Sequence, residues 1–238
     1  MIFNSEKFYN LFASSYSDYS ANKKEYLSAV NKFIQEETVS PKSMIDVGAG
    51  DGKRGRYLGD ILGIEKITLV DNSEGMILLA RKVLGADVVF TDISSSKFET
   101  KQKYDQVSLL WNVLGHIPLE GRITALENLS KLANDNRPIF IDVNNRYNIS
   151  HYGIIAVFKN FLKDIFLPSK SNGDFKLKIT TVNGEIETVV HIFNPFEIKK
   201  LIKLAGLKME KRKIINYRNG KICKTFWGGQ LVYKLSKI

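Results

Sequence analysis

The sequence is poor in cysteine and in long apolar runs, and each shortage excludes a class of protein. Cys223 is the one cysteine among 238 residues, so no disulfide can form within the chain. The longest uncharged apolar stretch, residues 107–119, falls short of the roughly 20 residues that a membrane-spanning helix needs. The first residues also lack the basic run and apolar segment of a secretory signal. The sequence therefore predicts a cytoplasmic protein without a membrane partner.

Metal-binding patterns are missing as well. The three histidines, His116, His151 and His191, lie far apart in the sequence, and neither a cysteine cluster nor a His-Glu-x-x-His pattern accompanies them. Zinc sites in proteins draw on such clusters. We therefore expect no metal site.

The composition, 44% hydrophobic and 25% charged, is that of a globular protein. Charge is divided unevenly along the chain. Residues 1–150 contain 18 Lys and Arg against 19 Asp and Glu, whereas residues 151–238 contain 17 against 6. A localised positive field attracts anionic ligands, RNA or membrane surfaces. Lys-rich and Asn-rich usage also arises from nucleotide bias in a genome, and the sequence leaves both explanations open.

Short apolar runs alternate with helical patterns between residues 43 and 143, which predicts a β-α-β succession. The runs are rich in Val, Ile and Leu and nearly uncharged, as in a parallel sheet covered by helices on both faces. The sequence thus predicts an α/β protein with a doubly wound, mostly parallel sheet. The strand candidates are residues 44–47, 66–70, 88–91, 104–111 and 138–143.

The pattern changes after residue 150, and we divide the predicted chain there. Residues 1–150 are expected to form an amino-terminal covering helix and the core of the fold. Residues 151–193 are expected to form an inserted cap. Residues 194–238 then add a helix and two strands, which complete the sheet as an antiparallel edge hairpin.

The inserted cap contains a predicted hairpin of its own. Asn183-Gly184 fits a two-residue type I′ turn, and this turn pairs Thr181 with Ile186. One face of the hairpin is then mostly apolar. The opposite face carries Lys176 beside His191, so one side packs and the other meets solvent or a ligand.

Two helix starts are predicted from capping patterns. Ser73 is placed to cap the helix that follows the second core strand. After the cap, Asn194 is predicted as an N-cap, Pro195 takes the first helical position, and Glu197 closes a capping box.

A glycine loop follows the first core strand. Asp46-Val47-Gly48-Ala49-Gly50-Asp51-Gly52 runs from a strand into a helix, and the next strand ends in Asp71. Glycines let a backbone approach a ligand closely, and an acid about 20 residues further on accepts hydrogen bonds from ribose hydroxyls. Asp46 and Asp51 flank the position of a dinucleotide's diphosphate, where carboxylates are unfavourable. The loop therefore favours a ligand with a cationic part.

This pattern resembles the class I S-adenosylmethionine-dependent methyltransferases. The match covers about residues 43–143 in that family's order: the glycine loop and Asp71, then Thr91-Asp92-Ile93, then residues 104–112. The resemblance implies a Rossmann-like seven-stranded sheet, an enzyme that transfers methyl groups, and S-adenosylmethionine as cofactor with S-adenosylhomocysteine as product. The cofactor-binding residues that it implies are Tyr16, Asp46, Gly48, Ala49, Gly50, Asp71, Asn72, Met76, Asp92, Ile93, Trp111 and Asn112.

The resemblance also implies roles for several of these residues. The loop matches the segment that holds the methionine portion of the cofactor, Asp71 matches the ribose ligand, and Asp92 lies towards the adenine amino group. Residues 9–16 resemble the family's cofactor-covering helix, from which Tyr16 approaches the cofactor. Trp111 is interpreted as a wall of the cofactor pocket.

His116 is the candidate catalytic base because it lies just past the fourth strand, where the acceptor is expected to approach. A loop histidine that fixes the turn before Pro118 is an equally open interpretation. Alignment of the reactants supplies about 7 to 11 kcal/mol of the barrier, whereas a positioned base adds about 10²- to 10⁴-fold in rate. Methyl transfer therefore benefits from a base without requiring one.

Five residues are predicted to bind the acceptor. Asn144, Arg146 and Tyr147 follow the fifth strand at the carboxyl edge of the sheet, and His151 and Tyr152 begin the cap. Arg146 suits a carboxylate or phosphate, which a guanidinium binds with two hydrogen bonds. A solvated loop with a surface arginine is the alternative.

The acceptor is predicted to be small. Methyltransferases of nucleic-acid amino groups often carry Asn/Asp-Pro-Pro-aromatic after the fourth strand, whereas this chain has Asn112-Val113-Leu114-Gly115. The insertion resembles the caps of small-molecule methyltransferases. We therefore expect methyl transfer to oxygen or nitrogen of a small anionic metabolite, such as a sugar, an amino acid or a phosphorylated or nucleotide-linked intermediate. An RNA methyltransferase and a non-catalytic cofactor-binding module stay open, as does the oligomeric state.

Overall fold

A computed structural model describes residues 2–16, 23–181 and 184–238 of the chain. Strands and helices largely alternate between residues 43 and 143, as the apolar runs predict, although the strands at residues 87–90 and 106–109 follow one another without a helix. The strands are β1 Ile2–Phe3, β2 Ser43–Val47, β3 Lys66–Asp71, β4 Asp87–Phe90, β5 Gln106–Leu109, β6 Ile139–Val143, β7 Asp174–Thr181, β8 Gly184–His191, β9 Leu207–Ile215 and β10 Gln230–Lys237. The helices are α1 Ser5–Phe12, α2 Lys24–Glu37, α3 Lys53–Leu62, α4 Glu74–Ala80, α5 Val113–His116, α6 Arg122–Leu132, α7 Ile149–Tyr152, α8 Ile154–Phe166 and α9 Pro195–Leu204.

Seven strands form the central sheet in the order β4-β3-β2-β5-β6-β10-β9. The first five are parallel neighbours, and β10 runs antiparallel to both β6 and β9. From β2 the chain adds β3 and β4 on one side and then β5 and β6 on the other. The position between β2 and β5 is thus the topological switch point, where ligands bind in doubly wound sheets. The predicted Rossmann-like sheet with an antiparallel carboxyl-terminal edge is thus confirmed.

Both faces of the sheet are covered, because successive side chains of a strand point to opposite sides. Met44 packs with residues of α2 and α3, whereas Ile45 packs with residues of α6 and α9. The result is two apolar layers around one sheet. Every residue of β6 is buried between them.

The fourth core strand is shorter than predicted. Residues 104–111 form a strand only from Gln106 to Leu109. Trp111 and Asn112 have φ values of 63° and 58°, which lie outside the extended region and end the strand. The chain turns there towards the carboxyl edge of the sheet.

The cap is a second, three-stranded sheet in the order β1-β8-β7. The predicted hairpin is present, but its register was wrong by two residues. Gly184 pairs with Thr181, and Ile186 pairs with Ile179. Gly184 thus belongs to the ladder and not to the turn, and the other predicted turn residue, Asn183, lies outside the described residues. Since the shift is even, each side chain keeps its face.

The amino terminus contributes to the cap. Ile2 and Phe3 pair in parallel with Glu187 and Thr188, and the Thr188 hydroxyl donates a hydrogen bond of 2.9 Å to the Phe3 carbonyl. The division into residues 1–150, 151–193 and 194–238 stays a prediction. The structure adds that the first strand of the chain pairs with the hairpin of the inserted segment.

The predicted caps are confirmed by their hydrogen bonds. The Ser73 hydroxyl accepts the Met76 N–H at the start of α4. At α9, Asn194 accepts from Glu197, and the Glu197 side chain reaches back to the Asn194 N–H to close the capping box. Among the described residues, none of the helices is long and apolar enough to cross a bilayer.

Candidate functional site

The glycine loop between β2 and α3 forms the floor of the site. Gly48, Gly50 and Gly52 all have positive φ, between 58° and 76°, which a residue with a Cβ rarely adopts. A Cβ on Gly48 would come within 2.6 Å of the Val113 side chain, and one on Gly50 within 2.8 Å of the Tyr16 hydroxyl. The backbone of the loop therefore lies directly against the residues that cover it.

Asp71 is fixed beside this loop. Its Oδ2 accepts the Gly50 N–H at 2.9 Å, and its Oδ1 accepts the Ser73 N–H at 2.9 Å. Burial raises the pKa of Asp71, and the backbone hydrogen bonds offset part of that effect. The carboxylate is thus oriented before any ligand arrives.

Beyond Asp71 lies a cavity of about 190 Å³, which we call the Asp92 cavity. Asn72, Asp92 and Ile93, three of the residues that the resemblance implies for cofactor binding, line it. Asp92 is itself held by Ser94, whose N–H and hydroxyl both donate to Oδ1 at 2.8 and 2.7 Å. Residues 4–6 of the amino terminus close the cavity from above.

On the other side of the loop is a cavity of about 90 Å³, the Arg54 cavity, lined by Asp46, Ala49 and Arg54 among others. Both terminal nitrogens of Arg54 are buried and find no hydrogen-bond partner among the described residues. Its Nε donates to Asn31 at 3.0 Å. Buried charged donors without acceptors are costly, so this guanidinium is positioned for an anionic group that enters the cavity.

Asp46 faces the same cavity and carries the opposite charge. Burial raises its pKa to about 6, while the Ser108 hydroxyl, which donates to it at 2.7 Å, works in the other direction. A carboxylate and a guanidinium around one small space suit a zwitterion. The sequence interpretation included Asp46 and missed Arg54, although Arg54 lies in the first turn of the helix that follows the loop.

The amino-terminal helix α1 covers the loop. Asn10 fixes it there, because its side-chain oxygen accepts the Ser73 hydroxyl at 2.7 Å and the Gly75 N–H at 2.9 Å. Tyr16 follows α1 and lies against Trp111, with ring centroids 5.7 Å apart. Burial raises the pKa of Tyr16 well above its ordinary value, so the hydroxyl stays neutral. A smaller cavity of about 70 Å³, the Gly50 cavity, lies between these rings and Gly50.

Buried Asp142 holds the turn after β5. Its Oδ1 accepts the N–H groups of Trp111 and Asn112, and its Oδ2 accepts the Tyr26 hydroxyl at 2.5 Å. The Asn112 side-chain oxygen in turn accepts the Asn144 N–H at 2.8 Å. These bonds stabilise the left-handed conformation of Trp111 and Asn112 and bring both residues to the edge of the site.

His116 lies on the wall between the loop cavities and the cap. It lines the Asp92 cavity, the Gly50 cavity and a third, larger cavity under the cap. Its Nε2 lies 3.1 Å from the Tyr9 hydroxyl, whereas its Nδ1 is buried with no hydrogen-bond partner among the described residues. Burial lowers the pKa of His116 to about 4, so the ring is neutral at physiological pH.

The third cavity, of about 210 Å³, is the aromatic cavity. It lies between α1, the hairpin β7–β8 and helix α7. Asn144, His151 and Tyr152, three of the five predicted acceptor-binding residues, line it, and their role stays a prediction. Its remaining lining residues are Phe8, Tyr9, Phe12, Tyr16, Lys23, Trp111, Asn112, His116, Phe175, Leu177, Ile179, Val190, Ile192 and Tyr217.

Two predicted acceptor residues lie elsewhere. The Arg146 guanidinium donates to Asp164 at 2.8 Å and to Glu197 at 2.7 Å. Tyr147 donates to Asp164 at 2.7 Å and stacks on Trp227. Both side chains are buried, and the two acids neutralise the guanidinium. Arg146 and Tyr147 are therefore not placed to bind an acceptor in the aromatic cavity.

Three further interpretations change with the structure. Met76 is buried in α4 and lies outside the residues that border the four cavities. His191 keeps its predicted face of the hairpin but does not meet solvent there, because it is 1% exposed and contacts Asp174 and Glu197 at 2.7 and 2.8 Å. Lys176 and Lys178 lie on the outer face of the hairpin near Glu187, so they do not reach the aromatic cavity.

Residues 44–136 match a family model described as "Methyltransferase domain". A search of curated proteins finds no match.

Among solved structures, the fold is similar to the CcbJ methyltransferase from Streptomyces caelestis, with 13% identity, a TM-score of 0.72 and coverage of 99% of each chain. It is also similar to DhpI in a complex with SAM and HEP, with 15% identity, a TM-score of 0.68 and coverage of 96% of this chain and 94% of DhpI. A SAM-dependent methyltransferase from Methanosarcina mazei has 18% identity and a TM-score of 0.65, over 87% of this chain and 97% of its own. At these identities the comparisons establish a shared fold.

Proposed function

We propose that this chain, in which residues 44–136 form a methyltransferase domain, methylates a small acceptor bound in the aromatic cavity. The domain makes the chain a methyltransferase of the Rossmann-like class, which uses S-adenosylmethionine as its methyl donor. One observation carries the proposal. His116 lines both the cavities at the glycine loop and the aromatic cavity, so a donor and an acceptor bound on its two sides meet beside this residue.

The loop cavities fit S-adenosylmethionine. In the Arg54 cavity, the unpartnered Arg54 nitrogens suit the carboxylate of the methionine portion, and Asp46 suits its ammonium group. Asp71 is oriented to accept hydrogen bonds from ribose hydroxyls. The Asp92 cavity extends from there and offers Asp92 to an adenine amino group. When bound, the cofactor supplies a sulfonium that already activates its methyl group.

The protein's contribution to the reaction is placement and exclusion of water. Gly48 and Gly50 allow the backbone to approach the methionine portion, and Tyr16 and Trp111 cover it. The hairpin face and α1 enclose the acceptor in apolar walls, which strengthens electrostatic contacts inside the cavity. Well-aligned reactants in such a site gain about 7 to 11 kcal/mol.

His116 is the proton acceptor in this proposal. A neutral imidazole takes a proton on one nitrogen, and His116 is neutral before the acceptor binds. Burial that lowers its pKa to about 4 also makes it a weaker base than a solvated imidazole. The Tyr9 hydroxyl, 3.1 Å from Nε2, fixes the orientation of the ring. The acceptor's hydroxyl or amino group then loses its proton to His116 as the methyl group arrives.

The lining of the aromatic cavity favours an acceptor with an apolar or aromatic body. Phe175, Leu177 and Ile179 contribute one wall, and no hairpin lysine reaches the cavity. Positive charge is present at the end formed by Lys23, whose ammonium lies 4.5 Å from the centre of the Tyr217 ring. An acidic group on the acceptor fits there. The expectation of an anionic acceptor therefore rests on Lys23.

A labelled-methyl assay against fractions of a metabolite extract tests the proposed function. We expect methyl transfer to a fraction of small, partly apolar compounds, with the product identified by mass spectrometry. An Asn144→Ala variant should raise the KM for that acceptor and leave the Kd for S-adenosylmethionine unchanged. Transfer to RNA alone, or turnover with no fraction, would contradict the small-acceptor proposal.

A further inference from the structure

Helix α8 of the inserted segment exposes an unusual amount of apolar surface. Ile154, Ile155, Phe158, Ile165 and Phe166 are between 52% and 73% exposed. Val157 is the deeply buried residue of this helix. Scattered exposed apolar residues are ordinary, whereas a contiguous group on one helix marks an interaction surface.

The exposed residues share one face of the helix. At 3.6 residues per turn, Ile154, Phe158 and Ile165 lie within about 40° of one another around the axis, and Ile155 and Phe166 lie beside them. Leu167, directly after the helix, is 70% exposed as well. We call this group of six residues the α8 face.

The charges next to the α8 face are positive. Lys159 and Lys163 are exposed and occupy the adjoining part of the helix circumference. The acid of the helix, Asp164, turns the other way and is neutralised by Arg146 at 2.8 Å. Every residue of α8 is described, so the charged groups on its solvent side are lysines.

We propose that the α8 face docks onto the surface of an anionic lipid bilayer, which departs from the expectation, drawn from the sequence, of no membrane partner. A helix of this kind, with large apolar residues on one side and lysines beside them, lies in the plane of the interface. Its apolar residues enter the headgroup region, and the lysines contact lipid phosphates. This proposal concerns membrane docking and does not depend on the acceptor or on methyl transfer.

Charge and residue type favour a bilayer over the other occupants of such a face. Residues 151–238 contain 17 Lys and Arg against 6 Asp and Glu, so a second copy of the chain would bring like charges together. RNA-binding surfaces combine cations with aromatic rings on which bases stack. The α8 face is mainly aliphatic, and aliphatic side chains gain more from acyl chains than from bases.

Docking also has a consequence for the aromatic cavity. Gly153 is the one residue between α8 and α7, and it has a φ of 82°. His151 and Tyr152 of α7 line the aromatic cavity. A docked α8 therefore brings a wall of that cavity close to the lipid surface.

Vesicle flotation of the full chain tests the proposal. The vesicles consist of phosphatidylcholine alone or of phosphatidylcholine with one third phosphatidylglycerol. We expect the chain to float with the anionic vesicles and to be released by salt, because each lysine near an anionic leaflet raises the partition coefficient about fivefold. Neutral vesicles should bind it less tightly.

A double variant, Ile155→Glu with Phe158→Glu, should bind the anionic vesicles at least about tenfold more weakly, since each large apolar side chain contributes that much or more when buried. Leu84→Glu is the matched control, because Leu84 is 88% exposed on another part of the surface. Thermal melts of both variants should match that of the wild type, which shows that binding is lost without unfolding.

Three results would overturn the proposal. The first is equal flotation of the wild type and the double variant, or no flotation of the wild type. The second is a wild-type dimer in sedimentation equilibrium that the double variant converts to a monomer, which assigns the face to self-association. The third is retention of polyuridylate by the wild type that the double variant abolishes while vesicle binding persists.

Discussion

The cavities at the glycine loop and the aromatic cavity share His116, Tyr16 and Trp111 but differ in their linings. The loop side centres on two short segments at the ends of β2 and β3, although residues 4–6, residues 91–94 and α5 also line it. It contains buried charges, among them Arg54 and Asp71. The aromatic side is assembled from α1, the cap hairpin and residues as distant as Tyr217, and is mostly apolar. The difference separates a charged and mostly local site, which we propose for the cofactor, from a mainly apolar site, which we propose for the acceptor and which only the tertiary fold creates.

Substitution of the residue between the two sides has the largest expected effect. His116→Asn keeps a polar group opposite Tyr9 but removes the base, so kcat should fall by about 10²- to 10⁴-fold. The Kd for S-adenosylmethionine, measured by calorimetry, should be unchanged. An unchanged kcat would assign His116 to the structure of the turn before Pro118.

On the loop side, Arg54→Met should weaken cofactor binding by about 1.5 to 3 kcal/mol, because it removes hydrogen bonds to a charged carboxylate. This corresponds to roughly tenfold to 150-fold in the calorimetric Kd. Arg56→Met is the control on the same helix, since Arg56 pairs with exposed Asp60 and lies outside the cavity. Equal Kd values for the two variants would show that the Arg54 cavity does not hold the methionine portion.

On the aromatic side, Phe175→Ala should raise the KM for the acceptor by about threefold to tenfold, as expected for partial loss of one apolar contact. The Kd for S-adenosylmethionine should not change. Val189→Ala is the matched control, because Val189 is exposed on the outer face of the same hairpin. A change in cofactor affinity with Phe175→Ala would contradict the separation of the two sides.

The smallest expected effect concerns stability and pH. Burial lowers the pKa of His116 from 6.5 to about 4, so the unfolded chain binds the proton at a higher pH than the folded chain does. The wild type should therefore lose stability relative to His116→Asn as pH falls from 6.5 towards 4, and show no such difference above 7. Parallel thermal melts of both chains across this range measure the effect, and parallel curves would show that the ring is solvated.

Sequence brought the glycine loop and Asp71 together, as the structure does, because the contacts between these segments are local. Gly48 and Asp71 lie within two adjacent β-α units, and spacing alone brings them together. Arg54 was missed although it lies only four positions after Gly50. A basic residue in the first turn of the helix after a glycine loop lies next to that loop. Its position in the sequence could therefore have identified Arg54 as a candidate ligand residue.

Sequence predicted the aromatic side less well because its partners are distant. Tyr9 and His116 meet across 107 positions, which no local pattern records. Arg146 follows a core strand at the correct edge, but Asp164 and Glu197, 18 and 51 positions away, bind its side chain. The buried ion cluster was therefore not predictable from the segment that contains the arginine.

The hairpin shows the same limit at smaller scale. Asn183-Gly184 is a strong turn signal, yet Gly184 pairs in the ladder opposite Thr181. The error of two residues left each side chain on its predicted face, because strand side chains alternate with a period of two. Face patterns were thus predictable, whereas the pairing partners depended on the tertiary fold.

The central claim is that the space beside Gly48 and Gly50 receives S-adenosylmethionine. Calorimetric titration of the wild-type chain with S-adenosylmethionine and, separately, with NAD tests it most directly. We expect saturable binding of S-adenosylmethionine at one site per chain and no measurable heat with NAD. Binding of NAD without binding of S-adenosylmethionine would contradict it.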